Sequence, residues 1–366
     1  MHSVYLGEVC EFVYGDSLKE ERRRPGKVPV FGSNGIVGWH DQAITSGPTI
    51  VIGRKGSIGE INWSREPCYP IDTTYFVEKT KRPCNLRWLY FTLQKLDLTR
   101  LNKSAAVPGL NREDAYEQRI PWLVLSEQQR IAEQLEQADR LRRTRRYALE
   151  LSGTFLPAAF LEFFGDLQSG SGKNTALGEI ADILTGYPFT SDEYTDAGET
   201  IRLCRGANVL PDRIDWSDLA LWPKSKSHSL SKYKLQVGDV VIAMDRPWIS
   251  EGFKIAQIRP EHCPALLVQR VARLRGESGV PNAFLYHLLR QPAFTRHCRP
   301  TETTIPHISP TDIETFSFHV PSPARQQQFA SLVERHEHLR TTQREALRQA
   351  EHLFQTLLHR AFSEGT

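Results

Sequence analysis

At 366 residues the chain is too long for one ordinary compact core, so two domains are expected. It is 40% apolar and 24% charged with a formal net charge of +3, which excludes a disordered chain and leaves room only for a local basic footprint. No run approaches the roughly 18 apolar residues a membrane span needs, and the start, Met1 to Gly7, lacks a basic patch before an apolar stretch, so a cytoplasmic location with no membrane partner is expected.

The first half reads as mixed α and β. Residues 49–53 (Thr-Ile-Val-Ile-Gly) are a β-branched run bounded by turn residues, and 86–93 look like a short buried helix. From Ser126 to Phe164 the pattern turns helical. Ile131, Leu135, Ala138, Leu149, Leu156, Ala159 and Phe163 fall at coiled-coil-like spacings, interrupted by Arg142, Arg145 and Ser152. Residues 165–176 are small and polar and form a linker. A second mixed half follows, with a strand at 239–244 and a helix at 282–289. From Ser322 to Thr366 a second helical stripe carries Phe329, Val333, Leu347, Ala350, Phe354, Leu357 and Ala361, interrupted by His336, Arg340 and Gln343. Caps are expected at Ser126-Glu127 and at Ser322, the second less favourable because Arg325 stands where an acid would help.

These halves are related. Leu6-Gly7-Glu8-Val9 recurs as Leu177-Gly178-Glu179-Ile180, an offset of 171 residues. Val107-Pro108-Gly109-Leu110-Asn111 is echoed by Ile305-Pro306-His307-Ile308-Ser309, and Gln128 to Ala132 by Gln326 to Ala330, both offset by 198. A duplicated body explains the shared order. Neither helix can bury its stripe alone, so the two are expected to pack antiparallel with the globular units at opposite ends. The alternative packs each helix on its own globular domain.

Catalytic chemistry is not visible. Residues 170–175 resemble a phosphate loop, but Leu167 stands where its first Gly belongs and Asn174 replaces the metal-binding Ser or Thr. There is no Gly-x-Gly-x-x-Gly after a strand and no Asn- or Asp-Pro-Pro-aromatic motif. His336-Glu337-His338 puts its histidines on different helical faces. The six cysteines, Cys10, Cys68, Cys84, Cys204, Cys263 and Cys298, include no Cys-x-x-Cys pair, so neither a metal site nor a disulfide framework is expected. Asp239, Asp245 and Glu251 could hold a nuclease metal, but no lysine stands two residues after an acid in a strand.

Several segments carry a resemblance. Residues 29–38 are glycine-punctuated, 52–59 (Ile-Gly-Arg-Lys-Gly-Ser-Ile-Gly) form a basic hairpin, and 72–75 follow. Residues 107–111, Ile120-Pro121 and 127–131 lead into the first helix. The second half supplies Leu177 to Ile180, Gly186-Tyr187-Pro188-Phe189, Ile201-Arg202-Leu203, 238–242, 304–308 and Pro321-Ser322-Pro323. Over nearly its whole length the chain resembles the specificity (S) subunit of type I restriction–modification systems. One departure is Ala324-Arg325-Gln326 in place of the usual Glu-Gln entry to the second helix.

The resemblance implies an α+β fold of two mixed α/β target-recognition domains separated by two long antiparallel helices. The divisions are recognition domain 1 over 1–125, a spacer helix over 126–164, a linker over 165–176, recognition domain 2 over 177–321 and a distal helix over 322–366. It implies a non-catalytic DNA-binding subunit that reads a bipartite duplex site. Two methyltransferase subunits, using S-adenosylmethionine at adenine N6, and two motor-nuclease subunits, using ATP and magnesium, would do the chemistry. A spacer of about 35–39 residues spans roughly 50–58 Å at 1.5 Å per residue, a match for half-sites on the order of 10–15 base pairs apart.

For DNA contact the first domain offers Asn34, Arg54, Lys55, Ser57, Lys103, Ser104 and Asn111, with Gly53, Gly56 and Gly59 allowing a tight hairpin. The second offers Arg202, Arg205, Asn208, Arg246, Trp248, Lys254, Thr303 and His307. Each has a plain alternative: a solvated hairpin, a core tryptophan, a hydrogen-bonded turn histidine. Arg140, Arg142, Arg143, Arg145 and Arg146 form a helix face open to solvent, to phosphate across the gap or to a methyltransferase subunit. The rival readings are a subunit of a type IIB-like restriction system and a standalone DNA-binding regulator. Neighbouring genes separate the first, and tight binding without a methyltransferase would favour the second.

Overall fold

The structure is a computed structural model that describes residues 2–101, 109–169, 173–298 and 306–363. It divides into two compact units, Met1–Leu149 with Gln343–Thr366, and Glu150–Thr342.

The first unit runs β1 (Ser3–Tyr5), α1 (Leu6–Val9), β2 (Val13–Tyr14), β3 (Val28–Gly32), β4 (Gly35–His40), β5 (Thr49–Gly53) and β6 (Ile61–Ser64). It continues with β7 (Tyr69–Pro70), β8 (Thr74–Val77), α2 (Leu86–Leu96), α3 (Arg112–Tyr116), β9 (Arg119–Pro121) and α4 (Leu125–Ser152). One antiparallel sheet has the order β2-β8-β5-β6; a second, β4-β3-β7, pairs β3 with β7 in parallel. β1 closes on β9, with Val4 opposite Ile120. The β-branched run of β5 is buried at every position, as a strand covered on both faces should be.

The second unit begins in the last residues of α4 and runs α5 (Phe155–Phe164), β10 (Asn174–Ala176), β11 (Ala181–Thr185), β12 (Thr200–Cys204), β13 (Val209–Leu210), β14 (Arg213–Ile214) and β15 (Leu221–Pro223). Next come β16 (Val240–Ala243), β17 (Trp248–Ile249), β18 (Gly252–Phe253), β19 (Ile255–Gln257), β20 (Ala265–Leu267) and β21 (Val271–Gly276). α6 (Asn282–Leu289), α7 (Pro292–His297), α8 (Pro310–Glu314), β22 (Ser317–His319) and α9 (Pro323–Ser363) complete the chain. Its sheets repeat the first unit. The order β11-β21-β16-β19 is antiparallel, and β15-β12-β20 has one parallel pair, β12 with β20.

The duplication extends to single bonds. Thr175 faces Phe318 between β10 and β22 as Val4 faces Ile120 between β1 and β9. Leu6 donates its N–H to Gln118 and Leu177 donates to Phe316, at 2.9 and 2.8 Å. The offsets of 171 and 198 residues thus hold in three dimensions as in the sequence.

Each unit contains an antiparallel helix pair. In the first, Arg146 reaches Glu351 at 2.6 Å and the Arg142 guanidinium lies 3.8 Å from the Phe354 ring, while Ile131 and Leu135 share a groove with Leu357 and Ala361. In the second, His336 Nε2 meets the Ser152 carbonyl at 3.1 Å, and the Phe160 and Phe329 rings lie 5.3 Å apart. The pairs also pack on the globular cores. Ile131, Leu135, Ala138, Phe354 and Leu358 join Trp88, Leu89 and Phe91 in one cluster; Leu156, Phe160, Phe329 and Val333 join Phe284, Leu285 and Leu288 in another. Helix-on-helix and helix-on-domain packing therefore occur together. The expected α+β class, two mixed domains with long antiparallel helices, is borne out.

Several details differ from the sequence reading. The helix expected over 126–164 breaks at Gly153 and Thr154 into α4 and α5. Pro157 is the reason: without an N–H it fits the first turn of a helix but not an interior. Leu149, Leu347 and Leu357 are only half-buried, whereas Phe160 and Leu358, absent from the expected seam, are buried. α4 starts at Leu125, one residue before the expected cap, and Ser126 lies inside its first turn. The departure at Ala324-Arg325-Gln326 keeps the helix entry. Gln326 Nε2 donates to the Pro321 carbonyl at 2.8 Å as Gln128 Nε2 donates to Leu123 at 3.0 Å, and Arg325 adds a bond to the Phe163 carbonyl.

Phe354→Ala is expected to cost about 3–5 kcal/mol, because a fully buried ring would leave a cavity. Phe354→Leu should recover much of it, since the position 198 residues earlier is Leu156. Urea unfolding curves of the three chains check this.

Candidate nucleic-acid interface

In the first unit three loops meet at the carbonyl of Thr73. It accepts the backbone N–H groups of Arg54 and Lys55 at 2.9 and 3.1 Å and the Ser33 hydroxyl at 2.7 Å. The Arg54 carbonyl in turn accepts the Leu110 N–H at 2.9 Å. This clamp gathers the Ser33-Asn34 turn between β3 and β4, the 54–60 loop between β5 and β6, and the segment entering α3.

Asn34 and Lys55 are exposed in this cluster and Ser57 is half-exposed. Arg54 is engaged within the protein. Its Nη2 donates to the Asp72 carbonyl at 2.6 Å, and its guanidinium lies 5.1 Å from the Tyr14 ring and 5.8 Å from Tyr75. Burial pushes the Tyr75 phenol up to about 12, with Tyr14 adding to the effect. Asn111 caps α3 by accepting the Glu113 N–H at 2.9 Å. Lys103, Ser104 and, in the second unit, Thr303 lie outside the described residues.

The hairpin glycines have separate reasons. A Cβ on Gly53 would lie 2.0 Å from the Ser57 carbonyl oxygen, so only glycine fits there. Gly56 has φ +75° with open space around it, where a side chain would meet only the left-handed backbone penalty. Gly53→Ala should therefore disrupt the loop, and Gly56→Ala should cost only about 1–2 kcal/mol. Amide exchange of the 54–60 loop in the two variants distinguishes these outcomes.

The second unit builds the same junction from different residues. Met244 donates its N–H to Arg270 and accepts from Ile308, at 2.9 and 2.8 Å, so Met244 occupies the place of Arg54, Arg270 that of Thr73 and Ile308 that of Leu110. Arg246 bonds through its N–H to the Pro306 carbonyl at 2.8 Å, and Asp245 forms a β-bridge with His307. Arg246 and His307 are exposed.

Most other candidates here are engaged internally. Arg202 donates to the carbonyls of Glu261 and Cys263 and stacks 4.8 Å from Trp216. Arg205 holds the Asp218 carbonyl at 2.6 Å and its carboxylate at 2.9 Å. Asn208 is buried and anchors its own turn, accepting from the Arg205 N–H and donating to Asp215 and Asp218. Lys254 is buried with its ammonium on the Gly206 carbonyl. Burial pulls it below the usual lysine range, and Arg246 adds repulsion against the pull of Asp245. Trp248 is half-buried and stacks on Phe253 at 5.2 Å. These five are held by contacts inside the unit.

On α4, Arg142 and Arg143 bind Asp139 at 2.7 and 2.9 Å and Arg146 binds Glu351, while Arg140 and Arg145 are exposed. Among the described residues no group of three or more His, Cys, Asp or Glu is placed to hold a metal ion, and no helix is long and apolar enough to cross a membrane.

Comparison with known proteins agrees with this architecture. Residues 1–151 match the family described as the type I restriction modification DNA specificity domain. That stretch belongs to the type I specificity family. The specificity subunit of the type I restriction enzyme EcoAI of Escherichia coli is 35% identical to this chain over 144 residues, 39% of this chain and 24% of that one. The MjaVIII specificity subunit of Methanocaldococcus jannaschii is 24% identical over 264 residues, 68% of this chain and 59% of that one. The chain thus spans a quarter and three-fifths of the lengths of these relatives. In fold it is similar to the type I restriction–modification S subunit from M. genitalium, with a TM-score of 0.67 and 17% identity over 100% of this chain and 96% of that one. A chain from a study of type I complex assembly and conformational transition matches at a TM-score of 0.57 and 16% identity, over 99% and 97%. The specificity-subunit resemblance read from the motifs is borne out.

Proposed function

We propose that this chain is the DNA-reading subunit of a type I restriction–modification complex and performs no chemistry itself. Each unit reads one half of a bipartite, asymmetric duplex site, and the helices set the unspecified gap between the halves. Two methyltransferase subunits carry S-adenosylmethionine to adenine N6, and two motor-nuclease subunits, with ATP and magnesium, join for translocation and cleavage. The chain itself holds no cofactor.

The observation that carries the reading is the pair of equivalent junctions. Both units join three segments through the same two backbone bonds, Thr73–Arg54–Leu110 in one and Arg270–Met244–Ile308 in the other, yet expose different side chains: Asn34 and Lys55 in the first, Arg246 and His307 in the second. A common frame with divergent tips suits two modules that read different bases, because backbone contacts position a reader and side chains specify. A regulator built for a palindrome would present matching tips.

The test is N6-methyladenine mapping in cells with and without this chain, beside its methyltransferase. A bipartite motif that appears only with the chain is the expected result. An unbroken motif, or methylation indifferent to the chain, would reject the proposal.

A further inference from the structure

The equivalence of the two junctions isolates a pair of arginines whose backbone geometry is costly. Arg246 stands two residues after Met244, as Gly56 stands two residues after Arg54. Both adopt the left-handed region, at φ +45° and +75°. The first unit uses glycine there, the residue that adopts this geometry without penalty. The second unit carries an arginine, exposed and strained.

Arg270, at the place of Thr73, is also left-handed, at φ +68°, and two-thirds of its side chain is exposed. Neither position is one where a left-handed arginine serves the fold, since a glycine would make the same backbone bonds. Strain kept at an exposed, charged side chain marks a site selected for what the side chain does.

The surroundings distinguish reading from simple attraction. The Arg270 turn is fixed by backbone bonds: Val271 N–H to Val268, Gln269 N–H to Tyr187 and Met244 N–H to Arg270 itself. Asp245 sits 3.7 Å from Arg270 Nε. At that distance the carboxylate is an ion-pair neighbour on the Nε side rather than a hydrogen-bond partner, and the two terminal nitrogens point away from it as a fork. A phosphate binds a lone ammonium charge as well as it binds a guanidinium fork, so lysine can replace arginine there. A guanine edge, with O6 and N7 side by side, requires a fork held in place.

We propose that Arg270, beside Asp245 at the junction that also carries Arg246, reads a guanine in the half-site of the second unit. This rests on the DNA-reading function above and adds to it a base, a residue and a half-site.

The experiment uses the full chain with its methyltransferase partner on a randomised duplex DNA library, with methylated sites sequenced. Arg246→Gly and Arg270→Gly install the residue that left-handed backbone favours, so both variants should unfold at or above the wild-type temperature. Arg270→Gly should lower discrimination for guanine at one position of one half-site by about tenfold or more. The other half-site should be untouched. Arg270→Lys, which keeps the charge and loses the fork, should lower it as well. A uniform loss of activity on all sequences, or a motif that Arg270→Gly leaves intact, overturns this inference alone. A wild-type motif without two parts overturns the DNA-reading function and this inference together.

Discussion

A chain of about residues 1–170 is expected to pair with a second copy and direct methylation to a palindromic version of the first half-site. In the first unit Phe354 and Leu358, with Ala361 and Phe362, pack on the cluster that contains Ile131 and Leu135. The residues 198 positions earlier, Leu156, Phe160, Phe163 and Phe164, pack in the second unit on Phe329 and Val333, which stand 198 positions after Ile131 and Leu135. Truncation removes the segment that covers Ile131 and Leu135 and leaves the α5 residues uncovered. A second copy's α5 can fill the same place.

The fit is imperfect in a way that can be tested. Phe160 would enter the space of Leu358, and Phe163 that of Ala361. Extra volume in a packed core costs about 1–3 kcal/mol, so the half-chain dimer should be weak. Phe160→Leu with Phe163→Ala should tighten it by about tenfold, the equivalent of about 1.4 kcal/mol. Light scattering over a concentration series measures the dimer, and methylation mapping with the partner reads the site. Half-chains that remain monomeric in both forms would show that the 198-residue equivalence does not extend to exchange.

The features legible in the sequence were those with a period or a repeat. The β-branched runs of β5 and β16, the stripe of α4 and the recurring Leu-Gly-Glu entry each state a local preference that the fold then satisfies. The bonding of side chains was not legible. Asn111, Arg202, Arg205 and Asn208 have the donors and acceptors a reader needs, and the same chemistry caps a helix or ties a turn. Composition cannot separate these uses; only the position of the neighbouring carbonyl can. Arg270 is illegible in the sequence for the opposite reason. Gln269-Arg270-Val271 contains no glycine or asparagine to announce a left-handed residue, and only the pairing of β16 with β21 places it beside Asp245. Phe160 was missed because the seven-residue spacing was carried across Gly153, where the helix breaks and its phase is reset.

Asp139→Ala is expected to destabilise the first unit by about 3–5 kcal/mol, the range for breaking a buried ion pair on one side. The Asp139 side chain is 3% exposed and gathers Arg142 at 2.7 Å, Arg143 at 2.9 Å and Arg87 at 3.6 Å. Arg87 is the critical partner. Burial lowers its affinity for the proton, with the Tyr90, Glu136 and Asp139 charges opposing that trend, and its Nε and Nη1 have no hydrogen-bond acceptor. The guanidinium rests instead between Trp63, Tyr90 and Phe91, with ring centroids 4.6 to 4.8 Å away. Removal of Asp139 leaves that cation buried against aromatic faces with Glu136, 3.9 Å from its Nε, as its remaining acidic partner, while Arg143 can turn to solvent. The penalty should therefore depend on Arg87. Arg87→Met retains the aromatic packing and removes the charge, so Arg87→Met with Asp139→Leu should recover most of the loss. Denaturant unfolding of the single and double variants measures the coupling. A loss below about 1 kcal/mol for Asp139→Ala, the scale of an exposed pair, would mean that water already shields this cluster and that the aromatic faces alone hold Arg87.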